Sequence, residues 1–134
     1  MRTQRGSLGV AVGDGKLFAV GGKDGSFKHR SGEYLDLKDM AAGWKRLPDM
    51  WTTRSELGVT VGGGKLFAVG GCRHESGEYL ELKDMAAGWK KLPDMQTRRD
   101  TLGVAVGDGK LFAVGGSRDG IVHFKSGEWL RIAT

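Results

Sequence analysis

Leu8-Gly-Val-Ala-Val-Gly-Asp-Gly-Lys-Leu-Phe-Ala-Val-Gly-Gly22 decides how the chain is organised, because it occurs three times. It returns unchanged at 102–116, and at 57–71 with two changes, Thr60 and Gly63. Around it lies a second repeated stretch, 32–50, which returns at 77–95 altered only at Glu81 and Lys91. The chain therefore divides into units 1–49, 50–94 and 95–134. A fixed period of 45–49 residues is the mark of a repeat architecture and takes precedence over any single motif.

Within a unit the pattern reads as four short antiparallel strands, A to D. Leu8–Val12 forms strand A, and Asp14-Gly15 tolerates the positive φ of a two-residue hairpin. Leu17–Val20, strand B, is continuously apolar, as in a strand covered on both faces. Gly21-Gly22 ends it; a polar loop leads to strand C, 32–37, and a Lys-Asp-Met-Ala-Ala-Gly connection leads to strand D, 44–47. A four-stranded sheet with two apolar faces cannot bury both alone, so neighbouring units must cover them. The expected fold is all-β, built of β-propeller blades of four antiparallel strands. The third unit is about ten residues short, so its outer strand is missing.

Two glycines after four apolar residues, then a tyrosine, then a tryptophan ten residues on, resemble the kelch repeat. The carriers are Gly21, Gly22, Tyr34 and Trp44 in unit 1, and Gly70, Gly71, Tyr79 and Trp89 in unit 2. Unit 3 has Gly115 and Gly116, with Trp129 at the tyrosine position. The phrase Arg-x-x-Leu-Gly-Val-x-Val before strand B is similar to that of Kelch-like adaptor propellers. The resemblance implies a non-catalytic scaffold for protein–protein interaction, as in substrate adaptors or cytoskeletal binders. The N-terminal dimerisation domain usual in those adaptors is not in this sequence.

Kelch propellers usually have five to seven blades, and three cannot close a ring. Two copies supply six blades and 22 of 24 strands, so a homodimer is expected, blade 1 of each copy packing on blade 3 of the other. The units share even surface residues, such as Lys38 and Lys83, which points either to recent duplication or to a designed, idealised sequence without a natural ligand.

Composition narrows the function. Of 134 residues 24 are glycine, about 18% against a usual share near 7%, without the every-third spacing of collagen. No apolar run approaches membrane length, and Met1–Ser7 is polar and basic, unlike a secretory signal. The lone Cys72 fits a reducing, cytoplasmic setting. No nucleophile–base spacing, Cys-x-x-Cys or phosphate loop is present, and Gly13-Asp14-Gly15-Lys16 reads as a hairpin; the chain is expected to be neither an enzyme nor a cofactor carrier.

The net charge of +5 is unevenly placed. Antiparallel topology sends the B–C and D–A loops to one end of the sheets. Those loops sum to +6 and the rest of the chain to −1. Arg5, Arg54 and Arg99 each lie three residues before the leucine opening strand A, where a guanidinium fork at the mouth of a central channel would meet a carboxylate or phosphate. The competing reading is an arginine that braces its own D–A loop. The B–C loops vary most, at 8, 4 and 9 residues, and specificity usually sits in such loops. They carry His29, Arg30, Arg73, His74, Arg118 and His123. The expected partners are a second copy and an acidic peptide or anion. Three imidazoles with Cys72 nearby suggest a metal ring, but histidines on separate blades are too far apart to share an ion, and no metal is expected. A basic face also attracts nucleic acid, but no recognised motif supports this.

Overall fold

A computed structural model describes residues 1–132; the last two residues of the third unit lie outside the described residues. Each copy of the repeated stretch forms a hairpin of two five-residue strands: β1 (Gly9–Gly13) with β2 (Lys16–Val20), β7 (Gly58–Gly62) with β8 (Lys65–Val69), and β11 (Gly103–Gly107) with β12 (Lys110–Val114). The register pairs Gly13 with Lys16, so strand A runs one residue further than the apolar run, 8–12, and closes on a two-residue turn. Asp14 and Gly15 hold φ of 53° and 71°, the left-handed pair such a turn requires.

Strand C follows antiparallel to B: β5 (Gly32–Asp36), β9 (Gly77–Glu81) and β15 (Gly127–Arg131). Strand D adds an outer edge in two units, β6 (Trp44–Arg46) and β10 (Lys90–Lys91). The result is two four-stranded sheets and one three-stranded sheet. Two features go beyond the sequence reading. The B–C loops of units 1 and 3 are not plain loops but carry small hairpins, β3 (Lys23–Asp24) with β4 (Phe27–Lys28), and β13 (Ser117–Arg118) with β14 (Val122–His123). The C–D connections hold single 3-10 turns, 40–42 and 85–87, each ended by a glycine at positive φ, Gly43 or Gly88.

The three sheets stack through their A strands, β1 on β7 and β7 on β11. Glycine makes the approach possible. A Cβ on Gly13 would stand 2.5 Å from Cγ1 of Val61, and one on Gly62 2.5 Å from Cγ1 of Val106. The apolar core lies in the two junctions. Phe18, Val20 and Leu47 of unit 1 meet Met50, Leu57, Leu66, Leu80 and Trp89 of unit 2. Phe67 and Val69 of unit 2 meet Leu111 and Ala113 of unit 3. In the middle sheet all four apolar residues of strand B, Leu66–Val69, are buried, and in the first sheet Phe18–Val20 are. In the third sheet the same Leu-Phe-Ala-Val buries alternate residues, because no described residue covers its outer face.

Tyr34 and Tyr79 stand across from Phe18 and Phe67, ring centroids 6.3 Å apart in both sheets. Trp44 and Trp89 are alike in sequence but not in burial. Trp89 is buried in the first junction and donates from Nε1 to the Pro48 carbonyl, whereas Trp44, at the open end of the stack, is half-buried.

Candidate functional site

The D–A segments and B–C loops gather at one end of the stack. Gly6 and Lys23 exchange backbone hydrogen bonds of 2.7 and 2.8 Å, Asp100 and Ser117 do the same, and Arg54 N–H donates to the His29 carbonyl. This end carries all nine residues picked from the sequence as ligand-binding candidates, but it treats them in three different ways.

Arg5, Arg54 and Arg99 are not surface forks. They are 8%, 1% and 2% exposed and form the same buried clamp in each unit. The Nε of Arg54 donates to Oε2 of Glu78 at 3.1 Å, Nη1 to the carbonyls of Gly70 and Ser76, both at 2.8 Å, and Nη2 to the Ser76 hydroxyl at 2.8 Å. Arg5 repeats this with Glu33, Gly21 and Ser31, and Arg99 with Glu128, Gly115 and Ser126. The fork does meet a carboxylate, but one from its own chain. With four hydrogen bonds committed and almost no exposed surface, these arginines are removed from the ligand-binding set.

The clamp's partners escaped the sequence reading, although a signal was present. Ser-Gly-Glu occurs at 31–33, 76–78 and 126–128, once per unit. Strand alternation turns Glu33 away from Asp36, and Glu33 is buried under the D–A segment while Asp36 is half-buried. Each glutamate also caps the start of that segment: Arg2 N–H donates to Glu33 at 2.7 Å, Trp51 N–H to Glu78 at 2.7 Å and Gln96 N–H to Glu128 at 2.8 Å. Burial pushes the Glu33 carboxyl up, but the Arg2 amide and the hydrogen bond and charge of Arg5 outweigh it, and the net direction is down. Burial lowers Arg54 against the charge and hydrogen bond of Glu78; a guanidinium remains protonated in proteins regardless.

The histidines do not form a ring. The ring of His29 packs edge-on against Phe27 with centroids 5.1 Å apart, His74 Nε2 lies 3.0 Å from the Thr53 carbonyl oxygen, and His123 is exposed on β14. Burial, followed by the Arg54 charge, pushes His74 below the usual histidine value, opposed by its Thr53 contact. Glu56, Cys72 and Asp100 bring potential ligand atoms within 4.8 Å of one another. Asp100 is already committed there, accepting from the Ser117 hydroxyl at 2.6 Å and from Asp119 N–H at 3.1 Å.

Arg30, Arg73, Arg118 and Lys125 are exposed. Setting aside the three clamp arginines, each neutralised by its own glutamate, leaves +3 of the +6 on these loops. Among the basic residues stand Phe27, Ile121 and Val122, large apolar side chains exposed on the loop hairpins. The exposed loop surface is thus basic and apolar at once.

Elsewhere, a cleft of about 170 Å³ opens beside β15, lined by Val69, Leu92, Pro93, Met95, Leu111 and Trp129 among others. In the first junction Trp89 packs in one buried cluster with Leu47, Met50 and Leu66, the counterparts of Leu92, Met95 and Leu111.

Three near-identical antiparallel sheets stacked through glycine-rich inner strands define a repeat protein of the propeller-blade type. The Kelch motif family model matches residues 4–50, which span the whole of the first sheet, and the other two units repeat much of that sequence, consistent with a kelch-repeat, propeller-like fold. No curated protein matches the chain. No helix among the described residues is long and apolar enough to cross a membrane.

Proposed function

We propose that this chain is a non-catalytic kelch-repeat scaffold for protein–protein interaction, and that the B–C loop face binds an acidic segment carrying an apolar side chain. The observation that carries the reading is the contrast at that face. Beneath it the Arg–Glu–Ser clamp is the same three times over, whereas the loops above differ in length and composition and expose Phe27, Ile121 and Val122 beside Arg30, Arg73 and Arg118. An apolar centre with a charged border is the anatomy of a recognition surface. The lone, free Cys72 fits a cytoplasmic setting for such a scaffold.

The test is a titration with a labelled acidic peptide containing one leucine or phenylalanine, followed by fluorescence anisotropy at low and physiological salt. Binding is expected to weaken with salt. It is also expected to fall at least about tenfold when Arg30, Arg73 and Arg118 are together changed to Glu, since like charge opposing a partner costs over about 1.4 kcal/mol. Binding that ignores both changes overturns the assignment.

A second reading makes the chain a self-assembling half-propeller with no natural ligand. It is favoured by the apolar residues left uncovered at the two ends of the stack, Val10 and Val12 at one and Val114 and Trp129 at the other. The peptide titration separates the two, because this reading expects only weak, charge-driven attraction.

A further inference from the structure

The two ends of the stack differ, and each has the shape that its counterpart inside the stack already fits. Within the chain, Val59 and Val61 sit over Gly9 and Gly13, and Val104 and Val106 sit over Gly58 and Gly62. The third pair of glycines is uncovered: around Gly107 there is nothing within 4 Å of a Cβ position, and around Gly103 only the Val114 carbonyl oxygen at 3.9 Å. The matching valines at the other end, Val10 and Val12, are 53% and 65% exposed. Among the described residues there are thus two free knobs and two free sockets, on strands of identical sequence, 9–13 and 103–107.

The backbone shows the same complementarity. Across the first junction Gly22 N–H donates to the Arg54 carbonyl at 2.7 Å, and across the second Gly71 N–H donates to Arg99 at 3.0 Å. Among the described residues Gly116 N–H has no such acceptor and the Arg5 carbonyl no such donor. Likewise Glu56 N–H donates to Ser7 and Thr101 N–H to Glu56, both at 2.7 Å, which leaves Ser7 N–H and the Thr101 carbonyl at opposite ends. The side chains agree. Val20 and Val69 are 0% and 3% exposed in the junctions, whereas Val114, the same position on the open sheet, is 56% exposed.

We propose that a second copy of this chain seats its Val10–Val12 strand on the Gly103–Gly107 face, and that the same contact, made twice about a two-fold axis, closes a ring of six sheets. A second copy is the occupant because the chain supplies both halves of the joint and already makes it twice within itself. Two copies suffice because six blades fall inside the four to eight with which propellers close, and three copies would exceed it. The inference rests on the stack of kelch sheets and not on the basic loop face, so a failed peptide titration leaves it intact.

Light scattering after size exclusion, at two protein concentrations, tests it. The expected mass is twice the 14.4 kDa of one chain at both. Val10→Glu with Val12→Glu spoils one end. Gly107→Val spoils the other, and in the free chain its side chain has open space, so the fold is kept. Each variant is expected to run as a monomer with an unchanged circular dichroism spectrum, and the two mixed are expected to form a one-to-one dimer through the single joint left intact. A monomeric parent chain, a mass that keeps growing with concentration, or a dimer indifferent to both variants overturns the proposal.

Discussion

Arg54 Nε stands 3.1 Å from Glu78 Oε2, with both side chains 1% exposed. Removing one member of such a buried pair strands the other, so Arg54→Met is expected to cost about 3–5 kcal/mol in urea unfolding. Arg54→Lys is expected to recover little, since an ammonium cannot reach two carbonyls, a hydroxyl and a carboxylate from one plane. The same change at Arg99 is expected to cost less, because the Glu128 side chain is 22% exposed and retains water.

The clamp also sets a pH dependence. The folded Glu33 carboxyl titrates below its ordinary value, so the unfolded chain takes up its proton first as the pH falls. Its contribution is complete above about pH 4.5 and is lost as the pH falls through the folded value. The urea midpoint is expected to drop as the pH falls below about 4.5, and Glu33→Gln is expected to flatten part of that drop.

His74 works in the same direction in a higher window. Its folded value lies below 6.5, so the folded state binds fewer protons and loses stability as the pH falls through that region. His74→Gln is expected to remove a share of the stability change between about pH 7.5 and about pH 5.5. Proton NMR of the imidazole gives an independent check: a midpoint at or above 6.5 would contradict the assignment.

Gly70 and Gly115 are equivalent in sequence, with φ of 69° and 67°. Alanine at either carries the cost of a left-handed conformation, about 1–2 kcal/mol. At Gly70 the new Cβ would also stand 2.5 Å from the Arg99 carbonyl oxygen, whereas at Gly115 the nearest atom is 3.7 Å away. Gly70→Ala is therefore expected to be the more damaging by a clear margin in thermal melts at low protein concentration. Equal losses would mean that the junction does not press on Gly70.

The tryptophans divide in the same way. Trp89→Ala is expected to cost about 3–5 kcal/mol, as for a large buried aromatic. Trp44→Ala is expected to cost less in a dilute single chain, because Trp44 is only half-buried. Denaturant midpoints of the two variants decide it.

The sheets could be read from the sequence because everything that forms them is local: the Asp-Gly turn, the apolar run and the glycines that end it lie within fifteen residues. The clamp could be read only in part: a bracing arginine is one of two readings of the sequence, but the clamp's bonds join Arg54 to Glu78 across 24 residues of chain through a loop of different length in each unit. Exposure was equally hidden. Leu17-Phe-Ala-Val20 and Leu111-Phe-Ala-Val114 are identical, yet Val20 is sealed and Val114 is open, since the difference lies in a neighbouring sheet and not in the strand itself. The loop hairpins β3–β4 and β13–β14 follow from turns at Gly25 and at Asp119-Gly120, each a left-handed glycine within a stretch whose polarity reads as plain loop.

In unit 1 the Nη1 atom of Arg5 holds the Gly21 and Ser31 carbonyls together, both at 2.9 Å, and these residues bracket the B–C loop. The loop is tied at its neck, so its contents are uncoupled from the sheet below. That explains how eight, four and nine residues are carried on one frame, and doubling such a loop costs only about 0.6 kcal/mol in closure entropy. Each unit therefore offers a cassette: a stretch that can be exchanged between fixed stems, so that new recognition can arise on this frame by replacing a few residues without renegotiating the fold.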